Sequence, residues 1–327
     1  MILVTGGAGF LGGWLVHRLA TSGRSVRVFD LPAADCSRLP TENVEIVRGD
    51  IRDRDAVRRV VEGCKQVYHL AGNPQLWTKE PADFFAVNHR GTVNVLEAAV
   101  EAGAERILHC STESILGRHS PGETDPAHFS PRTEDMIGPY CQSKLLGEQA
   151  AFSLAVNGAP IVVAAPTLPV GPGDVNRTPP TNMTISFCRG KLPAYLDCRL
   201  NLIDARDAAS GLQAALEQGR FGTRYLIGHR NLHLIEWLEI VGRIVGRKPP
   251  RFRTPYPIAI AAAAVSEVWA KFVTHRPPNA SLTGVKLTRR DMFFDPTASL
   301  AELGISPRPI EESAADAVAW YRQMGWI

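Results

Sequence analysis

The strongest constraint on this chain lies at its front. Ile2-Leu3-Val4 is a short β-forming run. Residues 10–19 carry apolar side chains at 11, 15, 16 and 19, the spacing of one helix face. Between them stands Gly6-Gly7-Ala8-Gly9-Phe10-Leu11-Gly12, in which Gly7, Gly9 and Gly12 satisfy G-x-G-x-x-G. In a strand–turn–helix setting, such glycines allow a tight turn, close backbone approach to a pyrophosphate, and close packing of helix on sheet. Asp30 closes the second β-run, residues 25–29. It lies 18 residues beyond Gly12, close to the ~20 at which an acid reaches an adenosine ribose.

Strand and helix signals then alternate. Residues 44–47, 66–70, 106–110 and 160–165 read as further strands, and residues 53–62, 83–102 and 138–156 as the helices between them. Alternation of this kind predicts parallel strands joined by right-handed crossovers. The fold class expected is therefore α/β, a Rossmann doubly wound parallel sheet with a smaller, mostly C-terminal substrate lobe. The pattern breaks after Pro166, where Pro169, Pro172, Pro179 and Pro180 make a loop-rich stretch, and it returns over 201–227. The division expected is 1–166 and 199–229 for the dinucleotide-binding domain, with 167–198 and 230–327 for the substrate lobe.

Composition narrows the function classes. Thirty-six basic and 33 acidic residues give a net charge of +3, and no basic run exceeds two residues. A charge so small and dispersed argues against nucleic acid as a partner. The six cysteines form no C-x-x-C pair and read as reduced thiols. His229 and His233 are four apart with no third ligand in view, so no metal is expected. The chain reaches its glycine turn within six residues of Met1, which leaves no room for a leader, so a cytoplasmic location is expected. The longest apolar stretch, 258–265, has eight residues, against ~20 for a membrane span. The wider segment 258–273 is read first as a packed helix. Covering a lipophilic pocket or touching a membrane from the periphery are the alternatives.

Thr5-Gly6-Gly7-Ala8-Gly9-Phe10-Leu11-Gly12 together with Tyr140-Cys141-Gln142-Ser143-Lys144 resembles the extended short-chain dehydrogenase/reductase superfamily, with its T-G-x-x-G-x-x-G and Y-x-x-x-K patterns. Its other landmarks fall in order: Gly49-Asp50-Ile51-Arg52-Asp53, His69-Leu70-Ala71-Gly72, Val87-Asn88-His89-Arg90-Gly91-Thr92 and His109-Cys110-Ser111-Thr112. Asp135 to Tyr140, Pro166 to Gly173, Leu192 to Tyr195 and Asp291-Met292-Phe293-Phe294 are similar, more narrowly, to proteins labelled hopanoid-associated sugar epimerases, which are relatives of dihydroflavonol reductases and 3β-hydroxysteroid dehydrogenases. The resemblance implies an NAD-dependent enzyme acting on a small molecule, as a homodimer. It implies cofactor contacts from Gly6, Gly9, Phe10, Leu11, Asp30, Asp50, Ile51, Leu70, Ala71, Asn88, Ser111, Tyr140, Lys144 and Pro166. Asp50 is either an adenine ligand or a turn residue, and Asn88 is also read as a tie between the active-site helix and its neighbour. With Asp30 meeting the ribose, NAD is expected over NADP, and Arg38 is the residue to suspect if NADP binds instead.

Tyr140 and Lys144, four apart, share one helix face. An ammonium beside a phenol favours the phenolate, which would make Tyr140 a proton-transfer group for an alcohol or ketone. Thr112 aligns with the superfamily's active-site serine and keeps a hydroxyl that can polarise a carbonyl. Glu113 follows it where a small or apolar residue is common. The expected catalytic set is thus Thr112, Tyr140 and Lys144. In the stretch from Leu200 to Asp207, Leu200 occupies the position where sugar-nucleotide enzymes of the superfamily carry an arginine, and Arg199 would face the other way. Leu168, Val170, Met183, Phe187 and Tyr195, with Leu192 and Trp269, are read as lining a lipophilic substrate pocket. Two alternatives stand: a nucleotide-sugar epimerase or dehydratase retaining NAD, with Arg177 and Arg189 on the phosphates, and a non-catalytic NAD sensor.

Overall fold

A computed structural model describes residues 1–117, 131–278 and 280–327. Its first half runs β1 (Ile2–Thr5), α1 (Phe10–Thr21), β2 (Val26–Asp30), β3 (Val44–Arg48), α2 (Arg54–Val61), β4 (Gln66–His69), α3 (Ala82–Phe84), α4 (Thr92–Glu101), β5 (Arg106–Cys110), α5 (Gly138–Val156) and β6 (Ile161–Pro166). The second half runs β7 (Leu168–Val170), α6 (Pro179–Cys188), β8 (Ala194–Tyr195), β9 (Arg199–Asp204), α7 (Ala205–Gln218), β10 (Arg224–Ile227), β11 (Arg230–His233), α8 (Leu234–Val245), β12 (Phe252–Arg253), α9 (Tyr256–Trp269), α10 (Leu282–Leu287), α11 (Thr297–Glu302) and α12 (Ile310–Gln323).

Seven strands form one parallel sheet in the order β3-β2-β1-β4-β5-β6-β10. The order reverses between β1 and β4, and in such sheets the crevice at that switch point takes the ligand. The period of two sorts each strand's side chains between two cores. Ile2 and Val4 of β1 join Leu15, Val16 and Leu19 of α1 and the small residues of α7 on one face. Leu3 turns to the other face, among the valines of α2 and the core residues of α4.

Four expectations are corrected. The helix read over 83–102 is interrupted by a π-helical turn, Phe85–Gly91, which carries Asn88; such turns re-aim side chains at functional sites. The stretch after Pro166 is not simply loop, because it holds β7 and α6, the latter with prolines in the first turn where a missing N–H costs nothing. β9 does not join the large sheet. It pairs in parallel with β7 and antiparallel with β11, and it splits its faces, with Ile203 in the main core and Leu202 in a separate core of the second lobe. A buried strand reads alike whichever sheet receives it, so its sequence could not choose. Segment 258–273 is not packed inward: of α9 and the π-helical turn Ala270–Thr274 that continues it, only Ala263 and Ala270 are buried. Among the described residues the run Tyr256–Thr274 is also long and apolar enough, by length and composition, to cross a membrane, because Ser266, Glu267 and Lys271 interrupt the apolar run without ending the helix.

α5 is locked to the far side of the sheet by a buried ion pair. Glu148 and Arg224 of β10 are 0% and 5% exposed at their side chains, with Arg224 Nε 3.2 Å from Glu148 Oε2. Glu148→Ala removes the carboxylate and leaves a buried guanidinium charge, a change that costs ~3–5 kcal/mol. Urea unfolding of the variant is expected to show a loss of that order; a midpoint equal to wild type would show that the pair contributes no stability.

Candidate active site

The glycine turn is built on contacts that admit no side chain. Gly6 has φ +72°, and a Cβ there would lie 2.6 Å from the Ala71 amide nitrogen; one on Gly12 would lie 2.1 Å from the Gly6 carbonyl oxygen. The N-cap of α1 is Gly9, which offers no side-chain cap, and the first turn holds no acid. The leading N–H groups, from Phe10 and Leu11 onward, are thus without a side-chain partner at the positive end of the helix. Asp30 braces the turn, its Oδ2 accepting from Ala8 N at 2.9 Å and its Oδ1 from Leu31 N at 2.8 Å. Each oxygen keeps a second lone pair, so bracing and ribose recognition are compatible. Ser111 Oγ, at the end of β5, is buried without a partner among the described residues. Uncapped amides, a carboxylate and an orphan hydroxyl along one crevice fit a dinucleotide.

Other expected contacts divide. Leu70 and Ala71 line the end of β4, tied to Thr5 through Leu70 N to the Thr5 carbonyl and Ala71 N to Thr5 Oγ1. Pro166 ends β6 in a wholly buried strand. Asp50 sits in the turn, where Arg52 grips its carboxylate at 2.6 and 2.9 Å and holds its pKa below the ordinary value. Asp53 caps α2 through Asp55 N and Ala56 N. Ile51 is buried against Gly91. Asn88 is 1% exposed. Its Oδ1 accepts from Asn73 N at 2.7 Å, and its Nδ2 donates to Ser143 Oγ at 3.1 Å and the Asn73 carbonyl at 3.2 Å. These bonds tie the π-helical turn to α5 and to the strand-end loop. Arg38 is drawn away from Asp30, onto the Gly173 carbonyl and the face of Trp320.

Thr112, Tyr140 and Lys144 converge at the end of β5, each below a tenth exposed. The Tyr140 phenol lies beside Thr112, whose hydroxyl favours its ionised form against the cost of burial. Thr112 Oγ1 also caps the turn that follows, accepting from Ser114 N, and lies 3.1 Å from Glu113 Oε2. Lys144 Nζ donates to the Cys110 carbonyl at 2.8 Å. The expected lowering of the Tyr140 pKa by Lys144 is not found. Burial pushes the phenol well above its ordinary value, and it depresses the ammonium of Lys144 as well, because a desolvated pocket disfavours both charged forms.

From the sequence, Glu113 reads only as a departure from pattern. It is a titratable group in direct contact with Thr112, and burial pushes its carboxyl up to about 7. Its position after Thr112 was the only signal. The folded chain therefore holds a proton there between the ordinary value of 4.5 and about 7, whereas the unfolded chain has lost it. Stability is expected to fall as pH rises across that window. Thermal unfolding of Glu113→Gln is expected to lose that dependence, gaining on wild type at pH 8 and not at pH 4; identical profiles would refute the raised carboxyl.

The expected substrate residues are partly misplaced. Phe187 is 1% and Val170 8% exposed, inside the second lobe's core, with Leu168, Met183, Leu192 and Tyr195 partly buried against it. Trp269 stands on the exposed outside of α9. A helix or strand residue reads as apolar whether it faces a pocket or a core. Arg177 stacks over the Trp326 ring at 4.2 Å and Arg189 donates to the Trp326 carbonyl, so both expected phosphate ligands hold the C-terminal end instead. Arg199 pairs with Asp291 at 2.9 Å over the Phe293 ring. Among the described residues no cluster of three His, Cys, Asp or Glu side chains could hold a metal.

The NAD dependent epimerase/dehydratase family matches residues 2–228. A provisionally named dihydroflavonol 4-reductase of Synechocystis sp. is 33% identical over 99% of this chain and 95% of its own length. Sterol demethylase protein B of Methylococcus capsulatus is 28% identical over 99% of both. The crystal structure of gox2253 superposes with a TM-score of 0.86 at 33% identity, covering 100% of this chain and 99% of that one. This chain belongs to the NAD dependent epimerase/dehydratase family, the NAD-using oxidoreductases of the extended short-chain dehydrogenase/reductase type.

Proposed function

We propose that this oxidoreductase interconverts a ketone and a secondary alcohol on a lipophilic molecule of steroid or terpenoid character, with Thr112, Tyr140 and Lys144 as its working residues. The observation that carries the lipophilic reading is the engagement of Arg177 and Arg189 by Trp326. With Leu200 where a sugar-nucleotide enzyme has its arginine, two desolvated phosphate charges would lack those partners. The sterol in the name of the Methylococcus relative supports the same substrate class.

The residues divide the work as follows. The glycine turn, Asp30, Ser111 and Lys144 hold NAD, which supplies the hydride donor or acceptor. Tyr140, kept neutral by burial, is a proton donor as it stands, so ketone reduction starts from this protonation state. Thr112, beside the phenol, offers its hydroxyl to the substrate oxygen. Lys144, anchored on Cys110, places a positive charge at the strand end. In the oxidative direction that charge must help Tyr140 to ionise against the cost of burial.

Tyr140→Phe keeps the ring and removes the transferable proton. Turnover is expected to fall ~10²–10⁴-fold with NAD binding retained, measured by stopped-flow NADH absorbance and by cofactor titration; near wild-type turnover would remove Tyr140 from this role. The substrate class is tested by a panel of hydroxysteroids, terpenoid alcohols and their ketones against UDP- and GDP-sugars. NADH consumption or release is expected only with the apolar set. Epimerised sugar nucleotide without net NADH release, alongside inertness to every apolar compound, would establish the epimerase alternative.

A further inference from the structure

The outer face of α9 is unlike the rest of the surface. Seven of the fourteen exposed large apolar side chains among the described residues fall between Phe252 and Val273. Ile258, Val265, Val268, Trp269, Phe272 and Val273 are each more than half exposed, and their spacing puts them on one stripe of a continuous helical rod. The opposite seam is Ala263 and Ala270, seven apart, turned toward the protein, where the helix packs on α10.

Charge surrounds this stripe unevenly. Residues 247–290 hold nine basic side chains and one acidic, against 27 basic and 32 acidic in the rest of the chain. Lys271 and Arg276 stand exposed at one end of the stripe, and Arg289 stacks over Tyr256 at the other. The single acid, Glu267, is turned inward and accepts from Leu282 N at 2.7 Å. The rod is held at both ends, through β12 on β8 and through Leu282, and its alanine seam stays packed. It therefore offers one side only and does not cross a bilayer. A second copy docking isologously on this face would bring two excesses of positive charge together. An anionic lipid surface complements both the charge and the apolar stripe.

We propose that α9 and its π-helical continuation form an interfacial helix that seats the protein on anionic lipid bilayers, with Val265, Trp269 and Phe272 entering the headgroup boundary and Lys271 and Arg276 meeting lipid charges. This rests on the surface alone and stands whether or not the substrate is lipophilic. The face lies one helix away from the site, because Thr283 of α10 packs against Gly138, the first residue of α5.

The test is flotation of the full chain with vesicles of phosphatidylcholine alone or mixed equally with phosphatidylglycerol. Binding to the anionic vesicles is expected at about 0.1 M salt, several-fold weaker at about 0.5 M, where the Debye length is roughly halved, and weaker again on pure phosphatidylcholine. The triple variant Val265→Ser, Trp269→Ser, Phe272→Ser is expected to lose binding about tenfold or more while its melting temperature and NAD affinity stay at wild-type values. Lys271→Glu with Arg276→Glu is expected to abolish the preference for anionic lipid. Failure of the wild type to float with either vesicle, or flotation of the triple variant equal to wild type, would overturn the proposal. So would a solution dimer that the triple variant dissociates, which would make a second copy the occupant.

Discussion

Lys144 and Glu148, one turn apart on α5, are both buried, and each answers to a different strand of the main sheet. Lys144 reaches the Cys110 carbonyl of β5 and Glu148 pairs with Arg224 of β10. A buried charge without its partner costs several kcal/mol, so the helix has one seat in which both are satisfied. A close approach fixes the same seat from the other side, since a Cβ on Gly147 would lie 2.4 Å from the Asn88 carbonyl oxygen. With α5 lodged in this way, Tyr140 must arrive at the end of β5 beside Thr112.

The dryness that makes this seat demanding also sets the protonation states around it. Burial raises Tyr140, Glu113 and Cys110 and lowers Lys144, His69 and His109. Every shift is in the direction that removes charge, as desolvation dictates. His69 lies neutral between Thr5 Oγ1 at 2.8 Å and Thr92 Oγ1 at 3.0 Å, with His109 stacked on it. His69 and His109 are thus neutral imidazoles near Lys144, and Tyr140 is a neutral phenol.

The second lobe is joined to this centre by β9, whose alternate residues enter two cores, while within the lobe Trp326 receives Arg177 and Arg189. Arg308 adds a further clamp on Asp207 at 2.9 Å. The arginines that could have served a phosphate are structural because the chain's end returns to them. Among the described residues, α9 is the one long element of this lobe that the clamps leave with an open apolar face.

Local pattern determined the parts that depend on neighbours in sequence. The glycine turn, the parallel β–α alternation, the extent of α5 and the Tyr140–Lys144 spacing follow from backbone sterics and from periods of 2 and 3.6 residues, which operate within a few positions. Tertiary structure decided everything that depends on distant partners. Whether Phe187 lined a pocket or a core, whether Arg177 met a phosphate or Trp326, which sheet received β9, and whether α9 turned its apolar face in or out were choices among chemically equivalent readings of the same residues. The Tyr140 ionisation is the sharpest case. Its spacing from Lys144 is written in the sequence and argues for a lowered pKa. The burial that reverses the shift arises only when α5, β5 and the strand-end residues exclude water together.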